Sequence, residues 1–210
     1  MCFHSKQSKS AQELKNRFKA EIDLQAGDIF SSNHYNGFSQ PKTPAIDFEN
    51  PHQISLMQWG LIPKGKHKEW GLHTLNAKLE TIRETYSFKD NIDNRCIIIV
   101  DGFFEWQQID LYKKRTKDNL RKYLITKPDE SLFCMAGIRC NWRDDKTGEL
   151  IPTYSMVTTE AMGLMREIHN EKLRMPIMLD SDKDIERWLG KERIENFAEQ
   201  MIEIKGTIVG

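Results

Sequence analysis

The sequence carries no excess charge of either sign, with 31 lysines and arginines against 31 aspartates and glutamates. A net charge of zero excludes a whole-molecule field that would draw the protein to nucleic acid or an acidic membrane, so any anion-binding face has to be a local cluster. Long apolar runs are missing too. Nothing approaches the roughly 20 residues of a membrane span, and the opening MCFHSKQSKS lacks the apolar core of a secretory signal. Cysteine is scarce: Cys2, Cys96, Cys134 and Cys140 have neither CxxC spacing nor a nearby histidine pair, which argues against a zinc site. There is no internal repeat and no low-complexity tract. These absences lead us to expect a soluble, reduced, cytoplasmic protein with no metal or cofactor, folded as a single domain over residues 1–210.

What is present divides into three kinds of text. In SKSAQELKNRFKAEI, Ser10 and Glu13 form a capping-box pattern and Leu14, Phe18 and Ile22 recur along one face, which predicts an amphipathic helix. Residues 25–51, centred on NGFSQPKTP, are rich in turn formers and predict an irregular surface segment of the kind that carries binding residues. Short apolar runs follow: ISLMQWGLIP, RCIIIVDGFFEWQ, KYLIT, LFCMAGIR, TYSMVTT and MPIML, rich in β-branched and aromatic residues and too short for core helices. TEAMGLMREIH and SDKDIERWLGKERIENFAEQM read as helices, the second opened by Ser181 with Asp184 in its first turn, and the tail to Gly210 as helical packing on the sheet. Together these give an α+β domain around a mainly antiparallel, barrel-like sheet flanked by helices.

Four stretches bear on chemistry. WGLIP, Trp59 to Pro63, reads by itself as a strand end with a buried indole, and LNAKLET, Leu75 to Thr81, as a helix start with Asn76 as N-cap. DGFFEW is harder to dismiss: in a strand, Phe103 and Glu105 share one face while Phe104 and Trp106 share the other. Glu105 then sits among apolar groups, where desolvation favours the neutral, proton-donating form; a structural salt bridge is the alternative. IHNEKLRMP places His169, Lys172 and Arg174 just ahead of an apolar strand.

An N-terminal Met-Cys, then WGLIP, NAKLET, GFFEW and a histidine shortly before RMP, in that order, resemble the SRAP family, the SOS response-associated peptidases or abasic site processing proteins. The resemblance runs from Met1 to about Leu179. It implies a DNA-damage-response protein that binds abasic sites in single-stranded DNA and joins them covalently through Cys2, with removal of its own Met1 as a proposed peptidase activity. It further implies roles for Asn76 in holding the amine or sugar oxygen, Glu105 in proton shuttling and His169 in sugar opening. Lys78 and Arg174 take the family's basic positions for phosphate, and Trp70, with Lys64, Lys66 and Lys68, is placed to stack beside the gap; Asn36 and Pro41 fall in a substrate-side segment. The implied partner is abasic single-stranded DNA, bound by a cytoplasmic monomer that is nucleoid-associated when on DNA.

The chemistry suits the residues. An aldehyde meeting a 1,2-aminothiol can form an imine through the amine and close on sulfur to a thiazolidine, and a free α-amine near pKa 7.7–8 is partly neutral at physiological pH. The same imine could instead promote strand scission by β-elimination, a lyase activity with which ring closure competes. The sequence departs from the family in three places: Phe3-His4 follows Cys2 instead of Gly-Arg, lysine replaces arginine at 78, and Glu171 to Leu173 separate the histidine from RMP. A thiol peptidase acting through the Cys2 sulfur, and a noncovalent single-strand binding module, are the competing readings.

Overall fold

Residues Arg95–Val100 read RCIIIV and every one is buried, so both faces of this strand have to be covered. The computed structural model, which describes residues 2–22 and 31–209, shows how. Its elements are β1 (His4–Gln7), α1 (Ala11–Phe18), β2 (Glu21–Ile22), β3 (Ser32–Asn36), β4 (Lys42–Asp47), β5 (Gln53–Trp59), β6 (Asn76–Lys78), β7 (Arg95–Val100), β8 (Gly102–Gln108), β9 (Leu120–Thr126), β10 (Phe133–Arg143), β11 (Leu150–Glu160), α2 (Gly163–Ile168), β12 (Arg174–Pro176), β13 (Met178–Leu179), α3 (Asp182–Leu189) and β14 (Lys205–Ile208).

Strands β4, β5, β11, β10 and β7 close on one another into a five-stranded barrel; every junction is antiparallel except β5 with β11. Ile97 and Ile99 of β7 face a core that takes in Leu14 of α1 and Trp188 of α3, whereas Cys96, Ile98 and Val100 face a second core containing Cys2, Trp59 and Phe103. A five-stranded sheet, ordered β14-β9-β8-β1-β3, lies beside the barrel and carries the start of the chain. The α+β, mainly antiparallel, barrel-centred expectation is therefore met.

Several local expectations are corrected. The segment predicted to be irregular contains β3 and β4, and β4 is a barrel strand with Thr43 to Ile46 buried; residues 25–30 of that segment lie outside the described residues. Its turn signals describe the 3-10 turn Gly37–Ser39 and the connection from β4 to β5, where Asp47 Oδ1 accepts the Glu49 and Asn50 amides, while burial of Thr43, Ala45 and Ile46 decides the strand between them. Helix α1 has its capping box at Ser10 and Glu13 but stops at Lys19, in the left-handed conformation with φ 49°, so Ile22 belongs to β2 and not to the helix face. Helix α3 is capped by Ser181 as expected and ends at Gly190, followed by a 3-10 turn at Ile194–Phe197. The tail is not helical throughout: β14 pairs with β9, while Gly210 lies outside the described residues.

Candidate active site

The bland reading of WGLIP holds and has a consequence. Trp59 is fully buried and its indole N–H donates to the Leu75 carbonyl at 2.9 Å. Gly60, at φ 109°, passes so near the Gly71 backbone that a Cβ there would lie 2.5 Å from its oxygen, so only glycine fits the turn. Leu75 is fixed again by the Met156 amide, and the chain leaves it as β6, parallel to β11. Asn76 is therefore the first residue of a short strand, not a helix cap, because pairing with β11 supplies backbone partners that a helix start would otherwise provide. Its side-chain amide donates to the Cys2 carbonyl at 2.8 Å, and its Oδ1 is buried with no hydrogen-bond partner among the described residues.

Strand β8 alternates as expected. Ser5 lies opposite Phe103 and His4 opposite Phe104, so Phe103 and Glu105 turn inward. Phe104 and Trp106 turn to the other face, where His4, His34 and Lys122 meet their rings. Glu105 is 3% exposed, its Oε1 has no hydrogen-bond partner among the described residues, and burial pushes its carboxyl up to about 7. His169 follows α2, and its Nδ1 accepts the Arg174 amide at 3.0 Å, so in the neutral ring the proton sits on Nε2, which faces Glu105 Oε2 at 3.7 Å. Burial lowers the imidazole to about 4, which keeps it neutral at physiological pH.

Cys2 is wholly buried, and burial together with the Glu105 carboxylate pushes its thiol far above the ordinary range. Sulfur and carboxyl are thus electrostatic neighbours. Met1 lies outside the described residues. Phe3, Lys78, Glu105, Trp106, His169 and Arg174 line a cavity of about 460 Å³ together with His4, Arg115, Leu120, Glu171 and Lys172. A second cavity of about 450 Å³ between α1 and α3, lined by Phe18, Ile46, Phe48 and Leu189, holds none of the candidate catalytic or DNA-binding residues.

Not every expected residue gathers there. Trp70 packs on Ile62 and Trp142, donates to the Ser87 hydroxyl at 3.0 Å and has the Lys66 ammonium 4.4 Å from its ring centre; it lines a separate groove. Asn36 caps the turn whose Gly37 amide donates to the Phe3 carbonyl at 2.8 Å and so supports the start of the chain, and Pro41 accepts the Trp59 amide at 2.9 Å at the end of β5; neither lines the cavity. Arg174 lines the cavity, but its guanidinium is held in a two-pronged pair with Glu80 at 2.8 and 3.0 Å and donates to the Thr158 carbonyl at 2.6 Å. Arg115 and Glu171, paired at 2.8 Å across the mouth, are not among the residues the sequence singles out. The KKR run at 113–115, directly after Tyr112, carries the same kind of signal as the lysines that alternate up to Trp70; what no spacing encodes is that its loop is held against the segment bearing His169 through Gln108 and Asn170. Among the described residues no group of three or more His, Cys, Asp or Glu side chains is arranged to hold a metal ion, and no helix is long and apolar enough to cross a membrane.

Comparison with known proteins places this geometry. Residues 1–206 match the SOS response associated peptidase (SRAP) family. The chain is similar to abasic site processing protein YoqW of Bacillus subtilis, 33% identical over 159 residues that make up 75% of this chain and 66% of that protein. It is similar also to abasic site processing protein HMCES of Xenopus tropicalis, 28% identical over 74% of this chain and 53% of that protein. The chain thus spans about half to two thirds of these relatives' length. A crystal structure of a protein from Bacteroides thetaiotaomicron superimposes with a TM-score of 0.84 at 30% identity, covering 100% of this chain and 92% of that one. Nearly its whole length being matched, the chain belongs to the SRAP family.

Proposed function

We propose that this protein processes abasic sites in single-stranded DNA by joining itself, once Met1 is removed, to the ring-opened sugar through the amine and thiol of Cys2. The names of its relatives support the lesion as substrate. The observation that carries the reading is the Asn76 amide on the Cys2 carbonyl, beside two buried acceptors, Asn76 Oδ1 and Glu105 Oε1, that lack partners among the described residues. Buried acceptors without donors are costly, and the N–H of an amine or a protonated iminium supplies what they need.

The α-amine adds to the aldehyde, and water leaves to give an imine, with Glu105 in its neutral form giving the proton to the departing oxygen. The thiol then adds to the imine carbon, its proton passes to nitrogen, and the five-membered ring closes with no oxidant or reductant. His169, neutral with Nε2–H toward Glu105, assists sugar opening and donates a hydrogen bond to the carboxylate left when Glu105 gives up its proton, and the carboxylate regains a proton from the carbinolamine N–H as the imine forms. Lys78 and Arg174 serve flanking phosphates, Arg174 by sharing or exchanging its pairing with Glu80. The order matters because the Cys2 thiol is buried and held protonated. A thiol peptidase needs a thiolate in an accessible, electropositive setting, and this one has the reverse. Holding the aldehyde against both nucleophiles makes the encounter intramolecular.

Intact-mass measurement before and after incubation with an abasic oligonucleotide tests the reading. The expected result is a chain lacking Met1 that gains the strand's mass less one water. Cys2→Ala should form no stable adduct while keeping noncovalent affinity for the strand. An unmodified mass for processed wild type, or an adduct undiminished in Cys2→Ala, overturns it.

A further inference from the structure

A loop between β8 and β9 displays side chains that folding does not explain. Ile109 and Leu111 are 54% and 55% exposed, and Tyr112 is exposed completely. The loop is not slack. From beneath, the buried amide of Gln108 donates to the carbonyls of Asp110 and Lys113 at 3.1 and 2.7 Å. That of Asn119 donates to Asp110 and Lys114 at 2.9 and 3.1 Å, while Asp110 Oδ1 accepts the Tyr112 amide at 2.9 Å. A rigid loop that presents an aromatic ring and two aliphatic side chains to water is built for contact.

Its charge says what kind of contact. Residues 113–122, KKRTKDNLRK, hold six basic side chains and one acidic one in a chain whose net charge is zero. The loop also stands at the mouth of the cavity. Arg115 lines it and pairs with Glu171 at 2.8 Å, and Gln108 and Asn170 exchange two backbone-to-amide hydrogen bonds at 3.1 and 2.9 Å, which weld the loop to the segment bearing His169.

We infer that this loop is a docking platform for the nucleotides flanking the lesion, with Tyr112 stacking on a base and Lys113, Lys114 and Arg115 on phosphates. The inference deepens the proposed function and relies on it for the identity of the strand. An exposed aromatic flanked by cations on a fixed backbone is the chemistry that holds single strands without reading sequence. A second copy of the chain fits poorly, because a two-fold contact through this patch sets like charges against each other. Glu171, which also holds Lys172 at 3.2 Å, competes with phosphate for both cations and restrains binding until a strand arrives.

The test is anisotropy binding of wild type and variants to abasic and intact single strands of about 16 nucleotides at several salt concentrations. Tyr112→Ala is expected to weaken affinity about tenfold, and Lys113→Ala/Lys114→Ala to lower the slope of log affinity against log salt by about 1.4, two phosphates' worth. Glu171→Gln is expected to tighten binding severalfold. Circular dichroism melts confirm folding of Tyr112→Ala, whose side chain is wholly in solvent. If Tyr112→Ala and Lys113→Ala/Lys114→Ala bind like wild type while wild type forms its covalent adduct, the platform is overturned and the parent reading stands. Loop-dependent binding with no adduct in wild type sinks the covalent reading and leaves the platform intact. Tyr112-dependent binding to phosphatidylserine vesicles, without loop-dependent strand binding, overturns the platform in favour of a membrane surface.

Discussion

Glu105 and His169 stand 3.7 Å apart with opposite formal charges available to them, yet burial drives both toward neutrality, the carboxyl up to about 7 and the imidazole down to about 4. Between those values the pair is two neutral groups and no salt bridge. For Glu105 the folded chain holds its proton more tightly than the unfolded chain does, so stability falls as pH rises from 4.5 to about 7. For His169 the sign reverses: stability rises between about 4 and 6.5, and the two slopes oppose each other over most of the same window. Glu105→Gln removes the first. The variant should gain up to roughly 3 kcal/mol over wild type at pH 8 and little at pH 4.5, read by urea unfolding at both. Catalysis should show the converse. Adduct formation needs a neutral amine, which favours high pH, and a protonated Glu105, which favours pH below about 7, so the wild-type rate should be bell-shaped and Glu105→Gln should lose the alkaline fall along with most of its rate. A wild-type profile that rises without a fall would remove Glu105 from the proton's path. Strand alternation in GFFEW is enough by itself to place this carboxyl in apolar surroundings. The tautomer of His169 is not legible in the sequence, because the Arg174 amide that sets it opens β12 after a turn whose geometry no spacing encodes.

The elements that carry the site are pinned together at one end. Asp101, directly ahead of β8, is 2% exposed and accepts from Lys6 Nζ at 2.5 Å, from the Ser8 hydroxyl at 2.6 Å and from the Ser8 amide at 3.1 Å. Since β1 leads from Cys2 and β8 bears Glu105, this clasp sets the register that brings the two together. Asp101→Asn leaves the Lys6 ammonium, 21% exposed, without its anion and should cost roughly 2–3 kcal/mol. Because Asp101 lies away from the cavity, the variant should slow adduct formation severalfold while strand affinity holds, so rate and binding measured side by side separate positioning from contact. Equal losses in both would mean the clasp matters only for folding. At this scale the sequence is legible where propensity and burial agree, as at the Ser10 capping box and the fully buried β7. It misleads where long-range pairing overrides local signals: NAK becomes a strand because β11 lies alongside it, and KTPAID becomes a barrel strand despite its proline and the turn formers that precede it.

Both ends of the described chain lie in one sheet, β1 inside it and β14 at its edge, and that sheet shares a core with the barrel through Phe103, Ile125 and Cys2. The barrel's other face is closed by α3, where the Trp188 indole donates to the Cys96 carbonyl at 2.9 Å. Each core is built from several elements, and β7 contributes to both, so the chain is expected to unfold as a single unit. The two fully buried tryptophans make this measurable, since Trp59 belongs to one core and Trp188 to the other. Fluorescence of Trp59→Phe and Trp188→Phe variants, each compared with wild type so that the difference isolates the indole removed while Trp70, Trp106 and Trp142 are common to all, should follow the same denaturant transition as far-UV circular dichroism, once each is corrected for its own loss of stability. Calorimetry should show one peak with a heat-capacity change of about 2.5–3 kcal/mol/K for a chain of this length. Separate midpoints for the two cores would mean that the helix-covered side opens independently, and the amino-terminal clasp would then have to hold the site together without it.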